Sequence, residues 1–230
     1  MKSRTKQVTG IAMLAAIAYV VMLAGVHFMP SAPFLKYEPK DVILTIGGFL
    51  YGPLAALGAA FVVALIEMFT VSTTGIWGFV MNLLAAAAFT CTASLVYHRR
   101  RTARGAVTGL VAGALLMTGA MLLWNYLITP IYTGWPREQV AAMLVPVFLP
   151  FNLIKGCLNA AIILFVYKPL MKALRAARLL PDGRQGGGRA DGPEGAAAGR
   201  GRVNVGLLLF AAFLLITSLT AIIVLQLTGK

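Results

Sequence analysis

The chain has 230 residues, 59% of them hydrophobic and only 12% charged, and it carries a formal net charge of +13. That hydrophobic fraction lies outside the range of soluble domains, leaves no soluble domain over, and points to an all-α, polytopic membrane protein. The positive charge would suggest nucleic acid in a soluble protein, but here the basic residues track membrane topology, so a nucleic-acid partner is excluded as the reading.

Apolar spans fall at about 8 to 29, 42 to 52, 53 to 71, 79 to 97, 105 to 128, 145 to 167 and 203 to 227. The second is too short to cross upright unless Asp41 and the segment from Lys36 to Lys40 lie at the interface. Fifteen of the 20 Lys and Arg residues fall before the first span, after the fourth, or between the sixth and seventh. By the positive-inside rule the N-terminus is cytoplasmic, six spans return residue 168 to the basic side, and a seventh carries Lys230 outside. The first span resembles a secretory signal in charge. Its apolar part is about twenty residues long and no small-residue cleavage site follows, so it reads as a retained helix.

Within that first span Ala12 and Ala16 form a small-xxx-small pair on one face, which suits either internal packing or close approach of another backbone. The external loop from His27 to Asp41 carries Lys36, Tyr37, Glu38 and Lys40. Tyr51-Gly52-Pro53 reads as a tight cytoplasmic turn between antiparallel helices. Glu67 is the one acid deep within a span. Cys91 and Cys157 fall inside spans with no metal-ligand spacing and read as small buried hydrophobes, so no metal site is expected.

The sixth span, VPVFLPFNLIKGCLNAAIILFVY, holds Asn152, Lys155 and Asn159 near its middle. Spacings of three and four residues put all three on one helical face. An amine in hydrocarbon costs several kcal/mol unless it is paired, so Lys155 is a candidate for a substrate or ion site. The alternative is a structural lysine that snorkels or pairs with Glu67. Asn82 near the outer end of the fourth span and Asn125 with Tyr126 near the outer end of the fifth lie at similar depth. Amides offer both donors and acceptors, and Trp77, Trp124, Tyr126, Tyr132 and Phe151 offer stacking faces. The inventory suits a planar aromatic ligand with a polar edge, although each aromatic taken alone fits an interfacial belt.

The segment from 180 to 202, LPDGRQGGGRADGPEGAAAGRGR, holds eight glycines and reads as a flexible cytoplasmic linker. It divides a six-helix bundle over 1–179 from an additional transmembrane helix over 203–230. The chain shows no P-loop, no His-Glu metal helix, no nucleophile elbow and no paired carboxylates, so it reads as a non-enzyme without a cofactor. Without an ATPase motif it cannot drive uptake by hydrolysis alone, and no internal repeat marks an autonomous secondary transporter.

Four blocks carry a resemblance: IAMLAAIAYV at 11 to 20, FLKYEPKDVILTIGGFLYGP at 34 to 53, NYLITPIY at 125 to 132, and LPFNLIKGCLNA at 149 to 160 followed by YKPL at 167 to 170. Through them the chain resembles the substrate-binding S components of energy-coupling factor (ECF) vitamin transporters, in particular the riboflavin-specific members. The resemblance implies a six-helix transmembrane bundle in a prokaryotic plasma membrane that captures riboflavin from outside beneath the first external loop. It also implies a separate transmembrane coupling subunit and two ATPase subunits, with Ala12 and Ala16 docking the coupling subunit. Asn125, Asn152 and Lys155 are then the polar contacts to the flavin, and Leu35 and Lys36 belong to the lid loop; Asn82 and Tyr132, from the amide and aromatic inventory above, complete the candidate site. Lys155 also leaves flavin mononucleotide (FMN) open as the ligand. Other readings are an S component for another vitamin, a stand-alone permease for a small metabolite, and a membrane enzyme, which lacks clustered acids or histidines to support it. The seventh apolar span departs from the family's usual six helices.

Overall fold

The computed structural model describes residues 2–29, 32, 35–176 and 205–228. Seven helices and one short β-ladder account for almost all of them. Helix α1 (Lys2–Leu23) leads into a loop in which strands β1 (Val26–His27) and β2 (Lys36–Tyr37) pair antiparallel, Val26 opposite Tyr37 and His27 opposite Lys36. Then follow α2 (Lys40–Tyr51), α3 (Pro53–Thr70), α4 (Gly75–Arg100), α5 (Ala103–Thr133), α6 over 137–176, and α7 (Val205–Thr228). Five of these helices are long and apolar enough to cross a membrane, and α7 contains a shorter apolar stretch, Ala211–Gln226.

Helix α2 is different. At 12 residues it is about 18 Å long, well short of the hydrocarbon thickness of a bilayer, so it cannot cross upright by itself. Nine of its residues are buried, and it packs against α1, α3, α4 and α6. The α2–α3 turn forms where the sequence predicts it. Gly52 adopts φ 99°, a left-handed conformation that favours glycine, its N–H donates to Gly48 O at 2.9 Å, and Pro53 opens α3.

Both long hairpin partners widen by one π-helical turn, α4 at Ala87–Cys91 and α6 at Leu144–Phe148. In α6 the turn contains Pro146, whose missing N–H and bulky ring disfavour a regular α-helical register there. The α4 turn lies where α5 comes closest. A Cβ added at Gly113 would stand 2.6 Å from Phe89 O, and one at Gly109 would stand 2.7 Å from Ala93 O. Lipid tails are as apolar as leucine, so helices in a bilayer gain little from hydrophobicity and depend on such close backbone approach.

Helix α7 packs along α6. Its Ala211 and Leu214 join the cluster of Ala160, Ile163, Leu164 and Tyr167, whereas Leu215, Ala221, Ile222 and Leu225 join that of Phe148, Phe151, Ile154 and Leu158. The contacts run in opposite residue order, so α7 is antiparallel to α6 and returns toward the end that carries the β-ladder loop. The seventh apolar span is therefore a packed member of the bundle. The glycine-rich linker lies outside the described residues. Cys91 and Cys157 are free thiols and only half-buried, less enclosed than their place in apolar spans suggests.

Gly113→Ala should force α4 and α5 apart and lower stability by about 1–3 kcal/mol. Thermal unfolding of the detergent-solubilised variant, compared with the same change at Gly119, where an added Cβ meets nothing within 4 Å, checks it.

Candidate substrate-binding site

The loop between α1 and α2 folds inward because its apolar residues have a partner. Phe28, Met29, Ala32, Leu35 and Tyr37 are buried against Val147, Phe148, Phe151, Ile154 and Leu158 of α6. The rings of Phe28 and Phe151 stack with centroids 5.1 Å apart. Leu35 thus sits in one apolar cluster with the residues that flank Asn152 and Lys155 on α6. Next to this cluster lies a layer of buried polar and charged groups.

Two adjacent residues of α2 organise that layer. Lys40 pairs with Glu38 of the loop at 2.6 Å and with Glu67 of α3. Glu67 Oε1 accepts from Asn82 Nδ2 of α4 at 2.7 Å, and Lys36 reaches Glu38 at 3.8 Å. Asp41 faces the other way, its Oδ2 lying 3.2 Å from Lys155 Nζ and 3.5 Å from Asn159 Nδ2. Asn159 Oδ1 accepts from the Tyr37 hydroxyl at 3.0 Å, which ties the loop to α6. Burial, with the Asp41 carboxylate adding to it, raises the Tyr37 phenol above its ordinary value, so it stays protonated and donates. Lys36, Lys40 and Lys155 balance Glu38, Asp41 and Glu67, so these ion pairs sum to zero charge.

A third group lies on α5. Asn125 donates to Met121 O at 2.7 Å, and its Oδ1 accepts from Thr129, whose hydroxyl is 3.5 Å from that of Tyr132. Asn152 donates to Phe148 O at 2.8 Å, within its own helix. Both amides therefore tie one end to their own backbone turn, as buried polar side chains in a helix do when no other partner is close. Leu122, one turn before Asn125, packs on the cluster that contains Leu35 and Phe151, which brings α5 to the same region.

Residues 6–167 match the family described as the ECF transporter, substrate-specific component. The chain belongs to this family. It is 29% identical over 188 residues to the riboflavin transporter FmnP of Bacillus subtilis (strain 168), covering 76% of this chain and 99% of that one. It is 28% identical over 180 residues to the riboflavin transporter RibU of Staphylococcus aureus (strain TCH60), covering 75% of this chain and 94% of that one. Its fold is similar to the solved structure of the S component of a bacterial ECF transporter, with TM-score 0.65 and 29% identity over 75% of this chain and 99% of that one. Family membership and the apolar helices together make it a membrane protein of a transport system.

Within this S component the candidate residues separate into groups. Leu35 packs with Phe151 and Ile154 of α6, Asn152 bonds within its own helix, Lys155 faces Asp41 of α2, Asn125 and Tyr132 lie together on α5, and Asn82 belongs to the Lys40–Glu67 pair. Lys36 lies at the rim, its side chain 28% exposed. The sequence offered Glu67 as the structural partner of Lys155, but Glu67 pairs with Lys40 and Asp41 takes Lys155. Of the aromatics, Phe151 lies in the loop cluster, whereas Trp77 and Tyr126 are exposed, as a belt at the membrane interface requires. Ala12 and Ala16 lie on the exposed side of α1 with Val8 and Val20, leaving a shallow small-residue face free for another helix.

Sequence reasoning marked Asn159 as part of the α6 stripe but missed Asp41, Glu38 and Lys40 as site neighbours. The only available signal was their number: Lys36, Glu38, Lys40 and Asp41 form a charge-dense stretch just before a helix too short to cross, which is where buried pairing is required.

Lys40→Met leaves Glu38 and Glu67 buried without their shared cation and should cost about 3–5 kcal/mol, whereas Lys36→Met at the rim should cost within about 1 kcal/mol. Unfolding midpoints of the two variants in one detergent check the ordering.

Proposed function

We propose that this chain is the membrane subunit that binds riboflavin for uptake, with the isoalloxazine edge held by Asn125, Asn152 and Lys155 beneath a lid formed by Leu35 and Lys36. Asn82 and Tyr132 line the same region. The observation that carries this reading is a buried layer of amides and one amine on α5 and α6, next to an apolar cluster shared with the α1–α2 loop. Such a site is dry, mostly apolar, and polar only where an orienting group is needed. The riboflavin transporters it is similar to support the choice of ligand.

A neutral flavin fits better than FMN. The ammonium of Lys155 is already 3.2 Å from Asp41 and the ion pairs of the site sum to zero, so a phosphate would meet no spare cation among the lysines of this layer. Burying two unpaired negative charges there would cost far more than burying hydroxyls.

The chain supplies binding and no catalysis, and it needs no cofactor beyond the transported ligand. The work of uptake comes from a separate coupling subunit, which docks at the exposed Ala12–Ala16 face, and from two ATPases. The N-terminus is cytoplasmic in the plasma membrane of a prokaryote. Residues 1–179 form the binding unit, 180–202 a linker, and 203–230 an added helix.

Titration of the purified protein, followed by tryptophan and flavin fluorescence, should give tight saturable quenching with riboflavin and weaker binding of FMN. Failure of both flavins to bind a folded sample would send the search to other vitamins. Lys155→Met should weaken riboflavin binding by about 10- to 100-fold, the loss of one charged hydrogen bond. Replacing Ala12 and Ala16 with leucine should leave binding intact and abolish uptake in cells that contain the coupling subunit. Uptake that persists in cells lacking that subunit and the ATPases would favour a stand-alone permease.

A further inference from the structure

The Asp41 carboxylate is only half used. The residue is 1% exposed, and its side-chain contacts to Lys155 and Asn159 both fall on Oδ2. Its Oδ1 is buried with no hydrogen-bond partner among the described residues. A buried, ionised oxygen without a donor is costly, because it has given up water and received nothing in return. The neighbouring ammonium of Lys155 has three N–H donors, and Asp41 is its one ion-pair partner among the described residues. An unpaired acceptor and an ammonium with further N–H donors thus belong to one ion pair between α2 and α6.

From this we propose that Asp41 is itself a ligand-binding residue, with Oδ1 accepting a hydrogen bond from an N–H or O–H of the ligand while Lys155 donates to an adjacent ligand oxygen. The inference rests on the flavin reading above and adds a residue and a chemical requirement to it: the ligand brings a donor as well as acceptors. Riboflavin carries such donors in two places, the imide N–H of its ring and the hydroxyls of its ribityl chain. Asp41 also positions Lys155, and through Asn159 and Tyr37 the same carboxylate is linked to the loop. A ligand donor arriving at Oδ1 would therefore be felt at the lid. A Lys155 counter-ion alone would need only one oxygen, and that role does not predict any dependence on ligand donors.

The chain has three aspartates, and Asp182 and Asp191 lie in the linker, so Asp182→Asn with Asp191→Asn leaves Asp41 as the sole aspartate of the full chain. Infrared difference spectra of this protein, labelled with 13C at the aspartate carboxylate, are recorded with riboflavin, with N3-methylriboflavin, which lacks the imide donor, and with lumiflavin, which lacks the ribityl hydroxyls. The expected result is a shift of the Asp41 carboxylate stretch with riboflavin that disappears with one of the two analogues, identifying the donor. In parallel, Asp41→Asn should shrink the affinity gap between riboflavin and that same analogue several-fold, because a neutral acceptor makes a bond about half as strong. A change in general stability would lower both affinities together and leave the gap unchanged. Riboflavin binding with an unmoved carboxylate band overturns the assignment of Asp41. Absence of riboflavin binding removes the flavin reading itself, so the two failures are distinguishable.

Discussion

Two opposite charges side by side at the start of α2, Lys40 and Asp41, are both withdrawn from water, and the arrangement of the bundle depends on how each is neutralised. Adjacent residues on a helix point about 100° apart, so they cannot serve one partner. The charge of Lys40 is neutralised by the loop and α3, and that of Asp41 by Lys155 of α6. The short helix thereby becomes the hub through which the loop, α3, α4 and α6 are held at one depth. Isolated buried charges would cost several kcal/mol each, so any displacement of α2 that broke a pair would be opposed steeply.

Beside this layer the loop is held by apolar contacts. Phe28 stacks on Phe151, and Leu35 packs beside Ile154 and Leu158. The polar link from Tyr37 to Asn159 then sets the register of that contact, because the hydroxyl finds its acceptor only when the strand is fully docked. Hydrophobic burial supplies most of the attraction and the polar layer supplies the position. From the other side α7 adds Leu215, Ala221, Ile222 and Leu225 to the same cluster, so the added helix bears on the enclosure of the site as well as on α6.

The proposed docking face uses different residues. Ala12 and Ala16 are exposed on α1, while α1 turns Leu14, Ala15, Ala18 and Met22 inward. A helix that buries one face through its own bundle and presents small side chains on the other can receive a second backbone without disturbing the interior. Binding and coupling are then separable by mutation, and the exposed alanines make sense without any role in holding the flavin.

The sequence by itself determined the helical membrane class, the Gly52 turn and the polar stripe of α6, because each follows from local hydropathy, spacing or backbone conformation. It also marked Ala12 and Ala16, since a four-residue spacing fixes a shared face. Only the tertiary structure decided the charge pairing. Asp41 meets Lys155 across 114 positions and Glu67 goes to Lys40, and nothing in the spacing of those residues distinguishes that pairing from its exchange. The packing of α7 was equally out of reach, because a uniformly apolar helix shows no face and lipid competes with protein for every side of it. Local pattern selects which groups must be buried and paired; which partner each one meets depends on where the rest of the chain brings its own.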